Sequence, residues 1–178
     1  MGNSITDFWI NTVPEFFAGK SYIDRGIAGQ TTPQMLIRFR QDVIDLKPKV
    51  VVILAGINDI NGNTGPSTLE MIEDNFKSMV EIAQANNIHV VLSTVLPCDS
   101  IYVRPDLHPA ERVVQLNVWI KKYSSDKGCG YIDYFSSLTD KKNGLKKEYT
   151  NDGIHPNKEG YLIMAPLADA AIKKALSK

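Results

Sequence analysis

Two runs rich in β-branched residues constrain this chain more than anything else in it: residues 49–55 (KVVVILA) and 88–95 (IHVVLSTV). Neither alternates polar with apolar, so both predict strands buried on two faces, and such strands need helices above and below a parallel sheet. Weaker strand patterns lie at 21–25 (SYIDR) and 130–134 (GYIDY). Helical patterns separate them. Thr32-Pro33 is an N-cap and first-turn pair, followed by an apolar stripe of Met35, Leu36, Phe39, Val43 and Leu46. Ser67-x-x-Glu70 reads as a capping box ahead of Leu69, Ile72, Phe76, Met79, Val80 and Ala83. Pro109 opens a third helix carrying Val113, Leu116 and Ile120, with Gly128 just past its end; a fourth starts near Asn157. Alternating strands and helices give βαβ units and an α/β parallel sheet. At 178 residues, with no repeat or linker, residues 1–178 are expected to form one domain.

Composition narrows the partners. Twenty Lys+Arg balance twenty Asp+Glu, with no basic tract, so nucleic acid is not expected. The longest apolar run, Val50 to Gly56, is far short of a membrane span, and no membrane partner is expected. His89, His108 and His155 lack zinc-site spacing and there is no CxxC, so neither a metal nor a cofactor is implied. Cys98 and Cys129 fall at opposite ends of neighbouring strands, roughly 16 Å apart at ~3.3 Å per residue, and are expected as free thiols.

Open parallel sheets bind ligands at the carboxyl ends of their strands. There stand Gly26-Ile27-Ala28-Gly29-Gln30 after the first weak strand and Gly56-Ile57-Asn58-Asp59 after the 49–55 strand. Gly2-Asn3-Ser4-Ile5-Thr6 begins the chain, and Asp152-Gly153-Ile154-His155-Pro156 precedes the last helix. Each alone has an ordinary reading: Ser4 and Asp152 as helix caps, Gly29 and Asn58-Asp59 as turns, His155 as a surface or capping histidine. Together they supply what acyl transfer by serine requires. Ser4 is a hydroxyl nucleophile, His155 a base and Asp152 a carboxylate to orient it. The amides of Ser4 and Gly29 and the side-chain NH2 of Asn58 are oxyanion donors.

The four blocks, MGNSIT, GIAGQT, GIND and DGIH, resemble those of the SGNH hydrolases, the GDSL-type lipase and esterase superfamily, in the same order across residues 2 to 155. That resemblance implies a three-layer α/β/α, flavodoxin-like sheet. It implies Ser4, Asp152 and His155 as catalytic residues, with Ser4, Gly29 and Asn58 as the oxyanion hole. Gly26 competes with Gly29, which is preferred because it precedes Gln30 and Thr31. The wording of the blocks is similar to the branch with platelet-activating-factor acetylhydrolase-like proteins and carbohydrate O-acetylesterases. This implies a cofactor-free esterase acting on a small-molecule or carbohydrate ester, most simply an acetyl ester. A lysophospholipase or thioesterase, and a non-catalytic glycan-binding relative, are the alternatives. Trp9, Tyr102 and Arg104 are candidates for the substrate-binding wall, although Trp9 also reads as a plain helix residue and the other two as part of a surface loop. Two departures stand out. Asn3 replaces the usual Asp of the first block. The strand that precedes this block in the family is absent before Met1, so the sheet is expected to carry a slot with unpaired backbone. Relatives of this branch are often exported by bacteria, which makes export in the bacterial parent an expectation that the sequence leaves open.

Overall fold

A computed structural model describes residues 1–101 and 106–177. Three parallel strands form the sheet in the order β1 (Val50–Ile53), β2 (His89–Ser93), β3 (Gly130–Ile132). Val50 faces His89, and Val91 faces Gly130. Both continuous apolar runs are therefore strands, with Ile53, Val91 and Leu92 fully buried.

The weak pattern at 21–25 is not a regular strand. Beside it, on the outer edge of β1, run Met1 and Gly2. Gly2 bridges Gly26 on one side and Leu54 on the other. The Leu54 N–H donates to Met1 O at 3.1 Å, and the Ile27 N–H to Gly2 O at 3.1 Å. Pairing along this segment is confined to the bridge just past its end, at Gly26. The slot expected from the sequence is thus occupied by Met1 and Gly2 at its carboxyl end. Across the molecule the backbone tracks follow the order 2-1-3-4-5, that of the flavodoxin-like sheet.

Helix α1 (Ser4–Asp7) follows Gly2 directly, then α2 (Trp9–Thr12) and a 3₁₀ turn, Pro14–Phe16. Helix α3 (Thr32–Phe39) has Thr31, not Thr32, as its N-cap; the Thr31 N–H donates to Gln34 Oε1 at 3.0 Å. It runs into a π-helical turn, Arg40–Ile44. The wider turn shifts the helical phase, so Ile44 is buried while Leu46, expected on the stripe, is exposed. After α4 (Ile57–Ile60) comes α5 (Leu69–Ala85), capped by Thr68, whose Oγ1 accepts from the Met71 N–H at 3.2 Å. Ser67, expected to cap it, instead donates to Asp59 O at 2.8 Å. Helix α6 (Ala110–Asp126) follows Pro109; α7 (Tyr134–Leu138) follows β3; α8 (Lys158–Leu176) has Asn157 as N-cap. Helices α5 and α6 cover one face of the sheet, with α3 packed along α5, and α8 covers the other. Of the α5 stripe, Ile72, Phe76, Met79, Val80 and Ala83 are fully buried and Leu69, at the helix start, only partly; Val113, Leu116 and Ile120 of α6 are fully buried.

Candidate active site

The short path from Gly2 to α1 decides where Ser4 lies. Asn3 is fully buried and caps α1, its Oδ1 accepting the Ile5 N–H at 3.0 Å. Its Nδ2 is buried with no partner among the described residues; an Asp in the same place would strand no donor. Ser4 is therefore the first residue of α1 rather than its cap, and its own N–H points along the helix start without a protein acceptor among the described residues.

The Ser4 hydroxyl lies 2.8 Å from His155 Nε2, and His155 Nδ1 lies 2.6 Å from Asp152 Oδ2. A carboxylate at Nδ1 keeps the proton on that nitrogen and leaves Nε2 as the acceptor for the hydroxyl. The turn that carries both residues is cross-braced. Asp152 Oδ1 accepts the N–H groups of Ile154 (2.9 Å) and His155 (2.8 Å). The Thr150 hydroxyl donates to His155 O at 2.8 Å and accepts the Gly153 N–H at 3.0 Å. Burial alone would raise the Asp152 carboxyl; the bonds from the His155 ring and from the His155 and Ile154 amides outweigh it and hold Asp152 below the ordinary carboxylate value.

The second loop separates the two competing glycines. The Gly26 N–H already donates to Asp24 Oδ1 at 2.7 Å, and α1 passes so close that a Cβ on Gly26 would sit 2.0 Å from Asp7 N. The N–H groups of Ile27, Ala28 and Gln30 go to Gly2 O, Asp7 Oδ2 and Ile27 O. Among the described residues, only Gly29 of 26–30 has no protein acceptor for its N–H, at a φ of +77° that favours glycine. Asn58, buried on α4, donates one Nδ2 proton to Gln30 O at 2.9 Å and keeps the second. Beside it Asp59 binds Thr32 through N–H and hydroxyl; burial raises the Asp59 carboxyl, against the lowering effect of those bonds.

Ser4, Gly29, Asn58 and His155 border one cleft of about 280 Å³. Phe8, Ile101, Leu107 and Ile154 are its large apolar lining residues; Asn61 and Asn63 join Asn58 in bringing amides to it. The Phe8 ring leans on His155 at 5.3 Å. Asn61 is buried, and its Oδ1 has no partner among the described residues. A larger hollow, about 380 Å³, opens at the amino ends of β2 and β3 around Gln84, His89 and Gly130, far from these groups. Trp9, a candidate for the pocket wall, is elsewhere. It is buried against Phe16 (4.8 Å, stacked), Phe17, Tyr134 and Tyr161, as a core residue on the inner side of α2. Tyr102 and Arg104 lie outside the described residues. Neither Cys98 nor Cys129 is in a disulfide among the described residues, and burial pushes the Cys98 thiol up to about 12, which leaves it protonated and inert.

Phe8, Asn61 and Thr150 were not foreseen from the sequence. Only Thr150 left a signal there, a hydroxyl two residues ahead of the Asp-x-x-His block, where side-chain-to-backbone turns form.

A doubly covered parallel sheet with a serine–histidine–aspartate chain at its carboxyl rim defines the class: an α/β ester hydrolase. The family comparison is more specific. The GDSL-like lipase/acylhydrolase family matches residues 1–163, and the chain belongs to that family, whose substrates are small-molecule esters. A Bacteroides fragilis NCTC 9343 protein classed as an acylhydrolase is 46% identical, with a TM-score of 0.96 over 99% of this chain and 86% of its own. Axe2, an acetylxylan esterase from Geobacillus stearothermophilus, shares the fold at 20% identity, with a TM-score of 0.78 over 96% of this chain and 91% of its own. A Bacillus subtilis (strain 168) lipoprotein, YqeF, uncharacterized, is 29% identical over 93 residues, 50% of this chain; the chain thus matches only 38% of that relative's length. No helix among the described residues is long and apolar enough to cross a membrane.

Proposed function

We propose that this protein is a cofactor-free serine esterase that releases a short acyl group, acetyl in the simplest case, from a carbohydrate or similar ester. The observation that carries the reading is the unbroken chain from Ser4 Oγ through His155 to Asp152, at 2.8 and 2.6 Å, on a cleft bordered by three unused donors. His155 Nε2 takes the Ser4 proton as Oγ attacks the ester carbonyl. Asp152 stabilises the imidazolium that forms. The carbonyl oxygen becomes an oxyanion, met by the N–H groups of Ser4 and Gly29 and the free Nδ2 proton of Asn58. The alcohol leaves with the proton from His155, and water, deprotonated by the same nitrogen, then releases the acid from Ser4.

At about 280 Å³ the cleft falls just below the ~300–1,000 Å³ usual for small-molecule sites, and its large apolar lining among the described residues is limited to Phe8, Ile101, Leu107 and Ile154, which favours a short acyl group. The amides of Asn58, Asn61 and Asn63 in its lining favour an alcohol rich in hydroxyls. The likeness in fold to an acetylxylan esterase supports the same substrate class, and the resemblance to a lipoprotein supports export. The test compares acetate release from acetylated xylan with hydrolysis of 4-nitrophenyl acetate and octanoate, for wild type and Ser4→Ala. Acetyl-selective activity lost in Ser4→Ala is expected; preference for octanoate overturns the short-acyl reading, and equal rates in both proteins overturn the esterase.

A further inference from the structure

We propose that Arg38 is a positioning residue for the oxyanion donors, an inference that rests on the serine-esterase reading above. Its side chain is only 11% exposed, and four of the guanidinium's five N–H groups have partners in different parts of the site. Nε–H donates to Gln30 Oε1 at 2.5 Å. One terminal nitrogen donates to Gly2 O at 3.0 Å and Arg25 O at 3.1 Å. The other meets Asp42 Oδ2 one helical turn further along the chain. Asp42 also pairs with Arg25.

Two of these acceptors, Gly2 O and Gln30 Oε1, lie on residues close in the chain to proposed donors. Gly2 O is one residue from the cap of α1, so holding it fixes the start of the helix that presents the Ser4 N–H. Gln30 follows Gly29, and its carbonyl orients the Asn58 amide at 2.9 Å. Arg25 O also receives the Gly2 N–H at 3.4 Å, so the guanidinium bridges both partners of that contact. One planar fork thereby ties the first block to the second, and through Gln30 to Asn58. The Asp-x-x-His turn has no bond to it. A point charge on a flexible stem cannot meet four acceptors in one plane, so Lys is a poor substitute.

The distinction from a purely structural role is kinetic. Wild type, Arg38→Lys and Arg38→Ala are titrated with a 4-nitrophenyl alkylphosphonate to count reactive Ser4, and kcat and KM for 4-nitrophenyl acetate are expressed per titrated site. A phenylboronic acid, which forms a tetrahedral adduct on serine, reports the oxyanion donors. Misplacement by about 1 Å can cost ~10²-fold. Arg38→Ala is therefore expected to lose about 10- to 100-fold in kcat per titrated site, with KM within about twofold. Boronate affinity should fall in step with kcat/KM, and added methylguanidinium should restore part of the loss. Arg38→Lys should show the same pattern more weakly, and decides the matter if Arg38→Ala does not fold. Unchanged kcat per titrated site, with only the reactive fraction or the melting temperature lowered, overturns the positioning role while leaving the esterase intact. A wild type that hydrolyses the ester independently of Ser4 removes the esterase reading, and the role of Arg38 with it.

Discussion

The bonds that hold His155 on its turn come from Thr150, to its backbone carbonyl, and from Asp152, to its ring, five and three positions away. Across the cleft, the bonds that hold the Gly29 loop and Asn58 span 21 positions from Asp7 to Ala28, 28 from Gln30 to Asn58 and 34 from Gly29 to Asn63. One wall is a self-contained turn; the other is assembled only when the sheet and α1, α3 and α4 are in place. The proton-handling wall is therefore set by local chain geometry, and the oxyanion wall reports on the tertiary fold. Damage to the first should stay local, and damage to the second should spread between donors.

The largest expected effect lies at the seam between the walls. Ser4→Ala and His155→Ala should each lower kcat for 4-nitrophenyl acetate by about 10⁴-fold or more with an unchanged melting curve. A variant retaining a tenth of wild-type turnover breaks the shared chain. Next comes the assembled wall: Asn58→Ala should lower kcat by about 10²–10³-fold. It should also lower the melting temperature slightly, because the bond to Gln30 O is lost, at about 1 kcal/mol for a typical hydrogen bond. Turnover that is unaffected would remove Asn58 from the oxyanion site. The self-contained wall should respond less. Thr150→Val keeps the side-chain shape but deletes the hydroxyl shared by His155 O and Gly153 N–H. At about 1 kcal/mol per bond, kcat should drop about tenfold with boronate affinity nearly unchanged. A fall in both by the same factor would mean that the turn also positions the oxyanion donors.

The same division explains what could be read from the sequence. Strands β1 and β2 were legible because burial on two faces leaves a continuous apolar run. Ser4, Gly29, Asn58, Asp152 and His155 could be brought together on paper because the strand-end rule brings four separate blocks to one rim. Asp152 and His155 are also close enough in sequence for their contact to be anticipated. Trp9 was not placed, because a lone tryptophan on a four-residue helix does not show which side faces in. Phe16, Phe17, Tyr134 and Tyr161 decide that, and two of these lie more than a hundred residues away. Arg38 and Asp42 stand four positions apart in the sequence, a spacing that says nothing of Gly2, Arg25 or Gln30; their contacts with those residues exist only after the chain closes. The 21–25 segment has strand composition, yet its regular pairing is confined to the bridge between Gly26 and Gly2, which composition does not reveal.

The smallest expected effect is on stability, and it has opposite signs on the two walls. Asp152 is held below the ordinary carboxylate value, so its ionised form is favoured by the fold. That contribution is complete above the unfolded value, near 4, and is lost as pH falls through the lower folded one. Asp59, on the oxyanion wall, is raised by burial. The fold favours its protonated form, so stability is greatest below about 4 and declines as pH rises through the raised value. Asp152→Asn and Asp59→Asn should therefore diverge when melted from pH 3 to 7. Relative to wild type, Asp152→Asn should lose stability as pH climbs toward about 4 and then level off. Asp59→Asn should gain from about 4 upward, whatever fixed penalty its weaker hold on Thr32 imposes. Asp152 is about half exposed (49%), so solvent screening keeps its slope shallow, and Asp59 should show the steeper one. Parallel slopes would mean that the two carboxylates share one electrostatic environment and that the walls are not built independently.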